Sequence, residues 1–131
     1  MKPFRTDWWT IEVPIDWTAN QDPECATFLA SPPIGALQIS AAKKDNGLAT
    51  DDDLRDFAGK HIEAGRALQH VHHGTFAGFA VEHVTQGRYW KEWWLRADNL
   101  MVFATYNCDE AQKGLEDSVA EVILSSLRLR T

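Results

Sequence analysis

The stretch Phe76–Asn107, FAGFAVEHVTQGRYWKEWWLRADNLMVFATYN, constrains this chain more than any other part of it. Three runs rich in aromatic and β-branched residues are separated by the pairs Gln86-Gly87 and Asp98-Asn99. Gly tolerates positive φ, and Asn does so to a lesser degree, so each pair suits a two-residue hairpin turn. Three consecutive antiparallel strands follow, with their register. Thr85 opposes Arg88, Glu82 opposes Lys91, Ala80 opposes Trp93 and Phe79 opposes Trp94. Across the second turn, Trp94 opposes Phe103, Trp93 opposes Ala104 and Lys91 opposes Tyr106. The Glu82–Lys91 pairing is a favourable cross-strand charge pair.

Alternation sorts these side chains onto two faces. The first face carries Gly78, Ala80, Glu82, Lys91, Trp93, Leu95, Val102, Ala104 and Tyr106. Its small residues would let a helix backbone come close. The second face carries Phe79, Val81, His83, Trp90, Glu92, Trp94, Arg96, Met101, Phe103 and Thr105. It is large and aromatic, with polar residues at its margins. Two readings stand for it: core beneath a helix, or an open surface that receives a partner.

A length of 131 residues suits a single domain, residues 1–131, and a hydrophobic content of 44% is enough for a real core. The formal net charge of −6 argues against a nucleic-acid binder, which would carry a basic patch, and against docking on anionic lipid. The opening MKPFRTDWWTIEVP lacks the apolar stretch of a secretory signal, and no apolar run reaches membrane-spanning length. A soluble, cytoplasmic protein is the expectation. Cys25 and Cys108, far apart in sequence, read as two reduced thiols half-buried in strands.

Trp8–Val13 reads as a first strand that Pro14 closes, since proline lacks the backbone donor of a central strand. Trp17 reads as an anchor over the core. Glu24–Leu29 and Ala36–Ala41 read as strands separated by the turn signal SPPIG. Thr50 suits an N-cap, and Asp51, Asp52 and Asp53 favour the positive end of a helix dipole. Leu54, Phe57, Ala58, His61 and Ile62 recur at helical spacing, up to a C-cap near Gly65. Ala67–His73 reads as another strand. A second amphipathic helix begins near Asp109, with Leu115, Val119, Val122, Ile123 and Ser126 or Leu127 on its stripe and Gly114 as a fault within it. The expected fold is α+β: an antiparallel sheet of about six strands with two main helices, arranged as an α/β sandwich.

Candidate chemistry is sparse. On a strand, His70 and His72 project to one face with the spacing of a two-ligand metal clamp, but no Asp, Glu or Cys completes a set at motif spacing. Cys108 stands between a strand and a helix, where a dipole could lower a thiol pKa, but no histidine is paired with it by pattern. The three aspartates read as caps, since the rest of a calcium loop is missing. No nucleophile elbow, phosphate-cradling glycine loop or zinc-protease motif is present. The sequence therefore gives no cofactor and no metal set. The leading expectation is a non-enzymatic module that binds another protein, or a second copy of itself, through Phe79, His83, Trp90, Trp94, Arg96, Met101 and Phe103. The alternatives are a metal-dependent or thiol enzyme using His70, His72 or Cys108, and a structural homodimer subunit.

Two segments carry a resemblance. WTIEVPIDW, Trp9–Trp17, is similar to the opening of small bacterial domains of the PsbP/Mog-like superfamily, where a strand runs into Pro and then a Trp anchor. The closing pattern TYNC (Thr105–Cys108), an acidic-start helix and SSLRL (Ser125–Leu129) is also similar. The resemblance spans nearly the whole chain and implies the sandwich architecture. Members of that superfamily include photosystem accessory subunits, a nuclear-transport regulator, and chaperones or immunity partners of secreted toxins. It transfers no functional residue.

Overall fold

The computed structural model describes residues 1–130. Among these residues, ten strands form two antiparallel sheets, with three short helices between and after them. The larger sheet has seven strands in the order β3-β4-β5-β9-β8-β7-β6. These are β3 (Thr18–Gln21), β4 (Ala26–Leu29), β5 (Ala36–Lys43), β6 (Gln69–His73), β7 (Phe76–Thr85), β8 (Arg88–Ala97) and β9 (Leu100–Asp109). The smaller sheet places β2 (Trp9–Val13) between β1 (Lys2–Arg5) and β10 (Arg128–Leu129). The α+β class holds; in place of about six strands there are ten, in two sheets.

The meander has the register expected from its turns. Thr85 faces Arg88, Glu82 faces Lys91, Phe79 faces Trp94, and Trp94 faces Phe103 in turn. Gln86 (φ 53) and Gly87 (φ 78) both take the left-handed backbone that matches strand twist. In the second turn Asp98 takes it, at φ 56.

The first face is the principal core. Trp93, Leu95, Val102, Ala104 and Tyr106 pack beneath Trp9, Ile11 and Val13 of β2 and beneath Ile123 and Leu124 of α3 (Asp117–Ser125). Its cover is thus a second sheet with one helix. Trp17 is buried in the same cluster, as an anchor should be. Buried Glu116, just before α3, accepts hydrogen bonds from the Tyr106 hydroxyl (2.7 Å) and the Gly35 backbone N–H (3.0 Å), so its oxygen is satisfied inside the core.

Helix boundaries differ from the periodic reading. The first stripe is broken into α1 (Asp51–Phe57) and α2 (Gly59–Glu63), which meet at Ala58. Only Leu54, Ala58 and His61 of that stripe are buried, the i, i+4, i+7 set. The cap is as expected: Thr50 accepts from Asp53 N–H while the Asp53 carboxylate accepts from Thr50 N–H. At the other end, Gly114 lies outside α3 in a left-handed turn (φ +92), and Leu115 stands exposed before the helix starts. Glycine ends the preceding segment there instead of weakening a helix. Among the described residues, no helix is long and apolar enough to cross a membrane.

Candidate functional site

The second sheet face divides in two. Over its upper half lie α1 and α2. Leu54 and Ala58 pack with Phe79, Val81, Trp94 and Met101 in a core cluster separate from that of the first face. Phe79 and Trp94 stack with ring centroids 5.5 Å apart and planes 29° from parallel, and His61 meets Trp94 edge-on at 5.3 Å. Phe79, Trp94 and Met101, expected at a docking surface, are therefore core. The helices need somewhere to bury their narrow apolar stripe, and these rings supply it. Arg96 is also engaged, its Nε donating to Asp51 Oδ1 at 2.8 Å and tying α1 to β8. This pairing holds the Asp51 carboxyl below its ordinary range.

Gly78 explains how close the roof sits. A Cβ there would run into the Trp94 carbonyl of β8 and come within 3.1 Å of Leu54 Cδ1. Its smallness serves the contact between β7, β8 and α1, and not the approach of a helix to the first face.

Below the helices the face is open, and three of the expected docking residues remain there. His83, Trp90 and Phe103 are each partly exposed. The His83 and Trp90 rings lie 6° from parallel with centroids 6.3 Å apart. Phe103 packs on Phe57, at 4.9 Å between centroids. Phe57 ends α1 and is 58% exposed, because it falls off the buried stripe and hangs over the open half. Two adjoining depressions mark this half, of about 340 and 250 Å³. Lys60 and Glu92 line both; His83, Arg88 and Trp90 line the first, and Phe57, Phe103 and Thr105 the second. Arg88 is set in place by Asn107 Oδ1, at 2.6 Å from Nη2, and by Asp109. Beyond β9 the bare face is polar, with half-buried Gln38 and Ser40 of β5 and Thr27 of β4.

Glu92 is the centre of the arrangement. Its Oε2 lies 3.1 Å from His83 Nε2 and 2.8 Å from His61 Nε2. His83 Nδ1 meets Thr85 Oγ1 at 2.8 Å, and His61 Nδ1 accepts from Arg66 Nη1 at 2.9 Å. Burial pushes the His61 imidazole below its usual pKa, against the pull of Glu92. The register already put His83 and Glu92 on one face. Nothing in the sequence said which helix residue would land on them, so His61 and Lys60 were missed.

The other candidates separate. His70 and His72 do share a face, the second, but are exposed on the edge strand β6, while His73 is buried on the first face. Cys108 lies within β9, buried among first-face residues. The strand runs on to Asp109 and into a 3-10 turn, Glu110–Gln112, so no α-helix dipole acts on the thiol. Burial instead pushes its pKa up. Cys25 and Cys108 are both free thiols.

No family model matches the chain, and no curated protein does. Among solved structures, a crystal structure from Bacteroides thetaiotaomicron VPI-5482 is similar over 99% of this chain, with a TM-score of 0.72 and 20% identity. The match covers 48% of that chain, so this chain spans about half its length. At this identity the likeness concerns the fold alone.

Proposed function

We propose that this chain is a non-enzymatic protein-binding module whose partner docks on the open half of the second sheet face. The observation that carries the reading is the group Trp90, Phe103 and Phe57, left partly or largely exposed around two adjoining depressions. Aromatic side chains flanked by Arg88, Lys60 and Glu92 have the composition of an interface centre with a polar rim. The resemblance to PsbP/Mog-like domains favours a partner of the secreted-toxin or effector kind.

The test is capture from native lysate by the wild type and by the double variant Trp90→Glu/Phe103→Glu. Both positions are partly exposed, so the variant should fold, with a thermal midpoint within a few degrees of wild type. Partner capture should be lost. Capture that survives in the folded variant contradicts the proposal. A dimer that persists on dilution in light scattering, and dissolves in the variant, would identify the partner as a second copy.

A further inference from the structure

His61 is 1% exposed, yet its Nε2 has no aligned hydrogen bond. The atom sits 2.8 Å from Glu92 Oε2, a hydrogen-bonding distance without hydrogen-bonding direction. A buried, unpartnered imidazole nitrogen is costly, and it asks what it is aimed at. Glu92 Oε2 is 2.8 Å from His61 Nε2 and 3.1 Å from His83 Nε2, and the three ligand atoms lie within 4.8 Å of one another.

Ligands of a tetrahedral ion bound at about 2.0–2.1 Å stand roughly 3.3 Å from each other. Their lone pairs converge on the point between them and not on one another. The two Glu92 separations, 2.8 and 3.1 Å, are a few tenths of an ångström tighter than that, and the two imidazole nitrogens lie within 4.8 Å of each other, so side-chain shifts bring all three to ligand spacing. We propose that His61 Nε2, His83 Nε2 and Glu92 form a site for a zinc-class divalent metal ion, with its fourth position open to the 340 Å³ cavity.

Two imidazoles and one carboxylate suit zinc over calcium or magnesium, which take oxygen ligands. Thr85 Oγ1, 2.8 Å from His83 Nδ1, can accept the proton on that nitrogen and orient the ring. Lys60 and Arg88 line the same cavity, which favours an anionic fourth ligand, hydroxide or carboxylate. The site opens into one of the two depressions of the docking surface proposed above, but it stands whether or not a protein docks there.

One neighbour opposes the ion. Arg66 donates to His61 Nδ1 and therefore keeps the ring proton on Nε2. Ligation moves that proton to Nδ1, where a guanidinium cannot accept it, so Arg66 must swing out toward solvent. Arg66→Gln supplies an acceptor in its place. The site is thus held against metal by one half-buried side chain.

The experiment titrates Zn²⁺ into tag-free protein against a chromophoric chelator. The expected result is one ion per chain in the wild type, and affinity several-fold higher in Arg66→Gln. His83→Ala and Glu92→Gln, both at partly exposed positions, should lose more than the roughly 10–100-fold that removing an outer-shell partner costs. His70→Ala/His72→Ala should bind as the wild type does. Affinity unchanged in His83→Ala and Glu92→Gln overturns the proposal, as does affinity that disappears with His70 and His72 instead.

Discussion

Trp94 and Trp90 point the same way from one strand, four residues apart, and live in different environments. Trp94 is 6% exposed and stacked on Phe79 beneath α1 and α2; Trp90 is partly exposed beside His83. Nothing in the sheet distinguishes them. The difference is made by where the helical segment stops, since α2 ends at Glu63 and covers only the upper part of the face. A sheet can therefore present one continuous aromatic surface and use half of it as core and half as a site.

The largest effect that would break this comparison is on stability. Trp94→Ala should cost about 3–5 kcal/mol, the usual range for truncating a buried aromatic. Trp90→Ala should cost about 1 kcal/mol, as at a partly exposed position. Urea unfolding of the two variants checks this, and similar losses would remove the distinction. Gly78→Ala should follow at about 1–3 kcal/mol, because the added methyl meets the Trp94 carbonyl, a backbone atom with little freedom to move. Thr50→Ala should cost about 1 kcal/mol by removing the cap of α1, and should raise quenching of Trp94 as the roof loosens.

The smallest effect depends on pH. His73, buried on the first face, has no hydrogen bond at either ring nitrogen among the described residues and is held below its ordinary pKa of 6.5 by burial. Glu121 of α3 pulls the other way from 3.5 Å, while Lys91 of β8 and neighbouring His72 reinforce the shift. A histidine with a depressed folded pKa binds fewer protons than the unfolded chain. Stability is then complete above pH 6.5 and falls as pH drops through that value toward the folded pKa. His61 adds to the same loss from beneath the roof. Urea midpoints at pH 7.5 and 5.5 should show the decline, and His73→Leu should flatten part of it.

The meander was legible because two turns and strict alternation fix register and face together. Each expected pairing from Thr85–Arg88 to Lys91–Tyr106 is present. The small sheet was less legible. Trp9–Val13 could be recognised as a strand, but its partners are Lys2–Arg5, which contains a proline, and the two-residue Arg128–Leu129. Neither is long enough to show a period. Strand β3, TANQ, is exposed along its whole length and carries no apolar signal at all. The site was half legible. His83, Trp90, Glu92 and Phe103 were assigned to one face by register, whereas His61 and Phe57 reach it from a helical segment whose landing point is a tertiary fact. Periodicity also joined Phe57 and Ile62 to a stripe from which the break at Ala58 excludes them.

Hydroxyl-radical footprinting read residue by residue tests the division of the second face most directly. Trp90, Phe103 and Phe57 should be oxidised in the native protein, while Phe79, Trp94 and Met101 stay protected until it unfolds. Met101 is the sharpest reporter, because its thioether reacts readily whenever it is reached. Oxidation of Met101 and Trp94 at the rate of Trp90 would mean that the helices do not roof that half, and that the boundary between core and site lies elsewhere.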